Sequence, residues 1–212
     1  MTPPRFEQFY ALRRIHGQLS NLAFSPDGRE LAYTHDGSGQ FNLWRQGVRG
    51  GYPAQLTSLE EEAVRFQVWT RHGFILAIDP HGDEQMQLHR LGLEGGWPED
   101  LTRRTDCQYL ISPGNLDPGG DRLAFAGNAI RPADVSIFEL HIPTGQVRTL
   151  LDAEGRLFPR GWHPDGRRLL VEELIGNPHQ EVFLYDPATG ERRYYTSQKE
   201  EQLNRALGFD KS

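Results

Sequence analysis

The stretch "FSPDGRELAYTHDGSGQFNLW", Phe24 to Trp44, decides the fold. Turn residues, an apolar run, more turn residues and a second apolar run spell a β-hairpin. Pro26 fixes φ, Asp27 hydrogen-bonds its own backbone, and Gly28 takes the positive φ that a tight reversal needs. Nearly the same sentence returns at Trp162 as "WHPDGRRLLVEELIGNPHQEVFLYD", with Pro164, Asp165 and Gly166 in the matching places.

Two intermediate copies are less obvious. The turn glycine recurs as Gly28, Gly73, Gly120 and Gly166, in steps of 45, 47 and 46 residues. A second glycine follows each one, at Gly51, Gly96, Gly145 and Gly190, after 23, 23, 25 and 24 residues. Two markers that hold register through four copies define a structural repeat. Within each copy, strand two is apolar on consecutive positions: Leu31–Tyr33, Ile75–Ile78, Leu123–Ala126 and Leu169–Val171. Unbroken apolar runs of this length mean a sheet covered on both faces. Strand three starts near Asn42, Gln87, Ile137 and Val182, and strand four closes near Thr57, Thr102, Leu150 and Thr196.

A four-stranded antiparallel unit of about 45 residues, repeated and buried on both faces, is a propeller blade. The expected fold is therefore all-β: a small or partial β-propeller of four four-stranded blades. They occupy residues 18–60, 61–107, 108–155 and 156–198. The N-terminal segment 1–17 is expected to carry a short helix over 3–14, because Phe6, Phe9 and Tyr10 fall on one helical face. Residues 199–212 form a polar tail.

Composition removes several function classes. Of the 212 residues, 37% are hydrophobic and the net charge is -6, with basic residues scattered rather than striped. Nucleic acid is thus not the expected partner. No apolar run approaches the roughly 18 residues of a membrane span, and the N-terminus has no secretory pattern. The one cysteine, Cys107, fits a reducing, cytoplasmic setting. Lysine occurs only at Lys199 and Lys211, which excludes a Walker-type phosphate loop and a Schiff-base lysine in the blades.

The phrases "FSPDGRELAY", "DPHGDEQMQLHRL" and "LYDPATGERR" resemble the N-terminal propeller of the prolyl oligopeptidase family, in its acylaminoacyl peptidase-like branch. They are similar as well to TolB-like propellers, which share the turn and have no peptidase domain. The resemblance implies a propeller that covers an active site and admits short peptides. It places the nucleophile, aspartate and histidine on a following α/β-hydrolase domain. No G-x-S-x-G occurs in these 212 residues, since Ser38 in "DGSGQ" has Asp36 where the first glycine belongs. No catalytic residue and no cofactor is carried over, and the chain alone is not expected to be an enzyme.

Three patterns are weighed for chemistry. "DPHGDE" brings Asp79, His81, Asp83 and Glu84 within six residues, a spacing that could hold a cation; the same residues make a tight turn, which is the expected reading. Glu60–Glu62 resembles the paired glutamates with which dipeptidyl peptidases hold a substrate amino terminus. It lacks their aromatic context and reads as a solvated charge run, as do Glu172 and Glu173. Trp44, Trp69, Trp97 and Trp162 are expected to pack blades together rather than form a ligand cage.

Three functions compete: the gating propeller of a serine peptidase, a free-standing TolB-like module that binds a peptide or protein, and a propeller enzyme of the metal-dependent lactonase kind. The third needs inward carboxylates and histidines at matching blade positions, which the copies do not carry. Four blades shaped for a larger ring would form an arc with apolar outer faces on blades one and four. The expected partners are accordingly a hydrolase domain or a second propeller arc, including that of a homodimer.

Overall fold

The computed structural model describes residues 22–176 and 179–196. The helix expected within 1–17, the tail 199–212 and the outermost ends of the first and last blades lie outside the described residues. What is described is four antiparallel sheets of four strands each. Sheet 1 holds β1 (Leu22–Phe24), β2 (Glu30–His35), β3 (Asn42–Gly47) and β4 (Ala54–Gln55). Sheet 2 holds β5 (Ala63–Thr70), β6 (Gly73–Asp79), β7 (Gln87–Leu91) and β8 (Glu99–Asp100). Sheet 3 holds β9 (Tyr109–Leu110), β10 (Arg122–Gly127), β11 (Ser136–His141) and β12 (Gln146–Leu151). Sheet 4 holds β13 (Arg156–Trp162), β14 (Leu169–Leu174), β15 (Gln180–Tyr185) and β16 (Arg192–Tyr194). In every sheet the strands pair in chain order.

The consecutive apolar positions of strand two now have their physical reason. Along β6, Phe74, Leu76 and Ile78 enter the core shared with sheet 1, while Ile75 and Ala77 enter the core shared with sheet 3. Successive side chains of a strand point to opposite faces, so a sheet between two others must be apolar at every step. β10 repeats the arrangement unequally. Leu123 and Phe125 face sheet 2, and the small Ala124 faces sheet 4. Phe125 is fully buried, stacked on Phe138 at 5.6 Å and edge-on to Tyr109 at 5.5 Å. Three cores thus join four sheets in series, which is the face-to-face order of a propeller. The first strands adjoin along the inside of the arc: β1 contacts β5, and β5 and β13 both contact the 3-10 turn Pro113–Asn115.

Backbone bonds repeat across the sheet boundaries. The carbonyl before strand three accepts an N–H from the start of the next sheet: Phe41 from Val64 at 2.9 Å, Met86 from Tyr109 at 2.9 Å, Val135 from Leu157 at 2.8 Å. A polar latch closes each sheet at the same end. Asn42 accepts from the Thr57 hydroxyl at 2.8 Å, and Gln87 from that of Thr102 at 2.8 Å. In sheet 3 the roles reverse, with Ser136 donating to Asp152 at 2.9 Å. In sheet 4 Thr196 donates to Glu181, which is fully buried.

Two expectations are corrected, and one strand departs from its copies. Strand four ends earlier than expected in sheets 1 and 2, because Thr57 and Thr102 turn their hydroxyls into the latch and onto the N–H of Leu43 and Leu88. The first strand of sheet 3 is broken: Tyr109 and Leu110 pair with β10, the 3-10 turn intervenes, and only Leu116 resumes the pairing, opposite Leu123. The two outer faces also differ. On sheet 1, Phe24 is 66% exposed and Leu22 43%. On sheet 4, Leu170, Val182 and Leu184, which alternate with the core-facing residues, are all buried.

Candidate functional site

Strands one and three run the same way, so the turns between strands one and two share an end of the arc with the loops between strands three and four. This end, the turn end, collects most of the residues singled out by the sequence. At Ser25–Gly28 the Gly28 N–H donates to Ser25 O at 2.8 Å, with Gly28 at φ +69°. The Ser25 hydroxyl accepts from the N–H groups of Arg29 and Glu30. Asp27 takes a hydrogen bond from that hydroxyl and another from the Arg29 N–H, and these hold its carboxyl below the ordinary range. At His163–Gly166 the same loop closes with Gly166 at φ +68°, and Asp165 accepts from the N–H of Arg167.

The turn of sheet 3 solves the same problem with a different residue. Asp117 stands where Ser25 does, and its carboxylate accepts from Asp121 N–H at 2.9 Å and Arg122 N–H at 2.7 Å. Gly120 closes the loop at φ +75°. Sheet 2 departs from the pattern. Thr70 pairs directly with Gly73 across a two-residue loop, Arg71–His72. Gly73 has φ +118°, and a Cβ there would lie 2.3 Å from the Leu91 carbonyl oxygen.

Arginines cross from sheet to sheet at this end. Arg45 donates to Leu93 O at 3.2 Å, Arg90 to Pro143 O at 3.5 Å, and Arg122 to Gly166 O at 2.5 Å. Arg71 and His72 converge on Asp121 at 2.5 and 2.7 Å. His72 first and Arg71 second hold that carboxyl below its usual range. Arg122 also lies 4.4 Å above the Trp162 ring.

The three-to-four loops divide into two kinds. Sheets 3 and 4 turn tightly at Gly145 and Gly190, whereas sheets 1 and 2 carry "GGYP" and "GGWP". The aromatics of these longer loops, Tyr52 and Trp97, are 101% and 85% exposed. The expectation that Trp97 packs blades together is therefore wrong: it stands in a loop outside the sheet, ahead of Pro98, and no core reaches it. A cleft of about 490 Å³ adjoins Trp97, lined by His72, Arg90, Gly92, Glu99, Ile142 and Pro143. A second cleft of about 430 Å³, beside Leu56–Ser58 and Gly96, lies against the same indole.

"DPHGDE" does not converge on one point. Asp79 ends β6, is buried, and takes Arg65 Nε and Nη2 at 3.0 and 2.8 Å on one oxygen and Gly82 N–H at 2.8 Å on the other. His81, Asp83 and Glu84 are exposed, and Asp83 accepts only the Gln85 N–H among the described contacts. Among the described residues no three histidine, cysteine or acidic side chains are grouped to hold a metal ion. Glu60 and Glu61 are exposed in the connector between sheets 1 and 2. Glu172 corrects its expectation: it is buried and paired with Arg160 at 2.7 Å, the arginine occupying a β-bulge of β13.

No family model matches the sequence, and no curated protein matches it. Solved structures match it in fold. A TolB from Agrobacterium tumefaciens superimposes with a TM-score of 0.59 at 18% identity, over 84% of this chain and 62% of that one. Puromycin hydrolase gives 0.58 at 21% identity, over 82% and 28%. A dipeptidyl peptidase 4 from Porphyromonas gingivalis gives 0.60 at 12% identity, over 82% and 25%. The likeness is one of fold. This chain shares the propeller of TolB and of puromycin hydrolase, a prolyl oligopeptidase-family enzyme, and spans less than two thirds of the length of each.

Proposed function

We propose that this chain is a non-catalytic β-propeller module of the kind that gates substrate access in a prolyl oligopeptidase-type serine peptidase. The chemistry then belongs to an α/β-hydrolase domain outside these 212 residues. The observation that carries the reading is the match of four consecutive sheets to the propeller region of puromycin hydrolase, joined to a sequence without a nucleophile elbow. The apolar outer face of sheet 1, with Phe24 and Leu22, supports a partner that is a hydrolase domain, a second propeller arc or a second copy of the chain. The single buried Cys107 suits a cytoplasmic setting.

The test is an assay with short and acylated peptide p-nitroanilides. The chain alone gives no turnover and takes no label from a serine-directed fluorophosphonate; turnover abolished by that reagent would refute the reading. Sequencing the gene past the codon for Ser212 supplies the complement, since a following G-x-S-x-G between a strand and a helix belongs to this reading. A second reading is a free-standing TolB-like module that binds a peptide or protein. It is supported by the fold match to TolB from Agrobacterium tumefaciens, a TM-score of 0.59 over 84% of this chain.

A further inference from the structure

We infer that Glu181, His179 and Thr196 form a pH-responsive latch. It holds Tyr195 and Thr196, which follow β16, against β15 while His179 carries a proton, and lets them go when the proton is lost. The latch is a property of sheet 4 itself and does not rest on the peptidase reading.

Every other buried carboxylate among the described residues is matched by an arginine. Arg65 holds Asp79 at 2.8 Å, Arg122 holds Asp117 at 3.1 Å, Arg148 holds Glu139 at 2.8 Å and Arg160 holds Glu172 at 2.7 Å. A guanidinium keeps its charge throughout the range in which proteins stay folded, so these pairs are insensitive to pH near neutrality. Glu181 is the exception. It is fully buried, and its ion-pair partner is His179 Nε2 at 2.8 Å. A tight loop places the histidine, since the Ile175 and Gly176 N–H groups both donate to its carbonyl at 3.1 Å. Thr196 donates its hydroxyl to the other carboxylate oxygen and accepts the Val182 N–H at 3.0 Å. Burial pushes the Glu181 carboxyl up, and the bonds from His179 and Thr196 more than offset it, leaving the group below its usual range.

Among the described residues no second cation takes over when His179 is neutral. Directly across the ladder from Glu181 stands Glu173, another carboxylate on the same face, which takes the Tyr194 hydroxyl at 3.4 Å. Arg156 of β13 pairs opposite Leu174, one step from Glu173, and so projects from the other face. Arg192 of β16 stacks over the Phe183 ring at 5.3 Å. Across the boundary, Arg131 of sheet 3 is already shared by Asp134 at 2.5 Å and Asp152 at 2.6 Å. A neutral imidazole still donates one hydrogen bond, but it leaves a dry carboxylate charge unmatched beside a second carboxylate, which is costly. Histidine side chains change charge between about pH 5 and pH 8. A cation that gains a partner in the fold lends support that is full below its titration and is lost as pH rises through it. The latch is therefore closed on the acid side of that range and open on the alkaline side.

The experiment is amide hydrogen exchange of the whole chain, followed by nuclear magnetic resonance at about pH 5.5 and about pH 8.5 and corrected for the intrinsic pH dependence of exchange. The Val182 N–H, bonded to Thr196, and the Tyr195 N–H, bonded to Val182 O at 2.8 Å, report on the latch. The Leu43 N–H, bonded to Thr57 in the latch of sheet 1, is the reference, because Asn42 and Thr57 do not titrate. The expected result is an opening at Val182 and Tyr195 that grows at least about tenfold from the acid to the alkaline condition while Leu43 holds steady. His179→Gln, a donor without a charge, is open at both pH values, and His179→Arg, whose charge does not titrate, shows no rise. The titration of the parent chain decides the matter by itself if a variant fails to fold. An opening that does not change with pH in the parent, a rise that Leu43 shares, a rise that persists in His179→Arg, or a His179→Gln chain as closed as the parent at the acid pH would each overturn the proposal.

Discussion

Gly28 and Gly73 mark equivalent turns, yet the absence of a side chain serves a different purpose at each. Around Gly28 nothing lies within 4 Å of the point a Cβ would occupy, so only its φ of +69° disfavours a larger residue. At Gly73 the φ of +118° is joined by a backbone oxygen 2.3 Å from that point. Gly28→Ala is therefore expected to cost about 1 kcal/mol and Gly73→Ala more than about 3 kcal/mol, read from urea midpoints. Equal losses would show that conformation alone selects both glycines. The exposed carboxyls at this end set the acid behaviour. Asp27 and Asp121 are held below their ordinary range, by Ser25 and by His72 with Arg71 respectively. A folded carboxyl with a depressed pKa lends stability that is complete above about pH 4 and is lost as pH falls through its folded value. The melting temperature is accordingly expected to drop between about pH 4 and pH 2, and less steeply in Asp121→Asn, which thermal melts across that range would measure. These turns were readable in advance because proline, aspartate and glycine act on their own backbone. The exposure of Trp97 was not, because a repeat period gives a residue's place in the copy and not the direction in which a loop turns it.

At the scale of strands, the apolar runs announced which strand lies between two cores, and β6 and β10 show why: both faces of each are consumed by neighbours. The latches were hidden. Asn42, Gln87, Ser136 and Glu181 do one job with four different side chains, so no residue identity repeats for a pattern to catch. Only the threonines at the far ends of the latches were visible. Gln87→Leu tests the latch: it would strand the Cys107 carbonyl, now bonded at 2.7 Å, and remove the acceptor of Thr102. The expected cost is about 1–3 kcal/mol by chemical denaturation, although leucine is the more apolar residue. A neutral or stabilising result would mean that these buried polar groups are dispensable.

Taken whole, the molecule is a series of sheets in which each boundary is closed by a core, a backbone bond and an arginine. Its two ends are unlike: sheet 4 buries Leu170, Val182 and Leu184, while sheet 1 shows Phe24 and Leu22 to solvent. Sequence could announce that end sheets are apolar, but not which end would be left open, since that depends on contacts between distant segments. If the open face of sheet 1 joins two copies, light scattering after size exclusion reads a dimer that Phe24→Glu converts to monomer; a parent chain that is already monomeric and binds no hydrophobic dye contradicts that assembly. The serial order of the sheets is tested most directly by nuclear Overhauser contacts from the side chains of β6. Phe74 and Leu76 should reach Leu43 of sheet 1 and Leu59 of the connector that follows it, and Ile75 and Ala77 should reach Leu123 and Phe125 of sheet 3. Both sets reporting the same neighbour, or neither appearing, would contradict a propeller in which every inner sheet is covered on two faces.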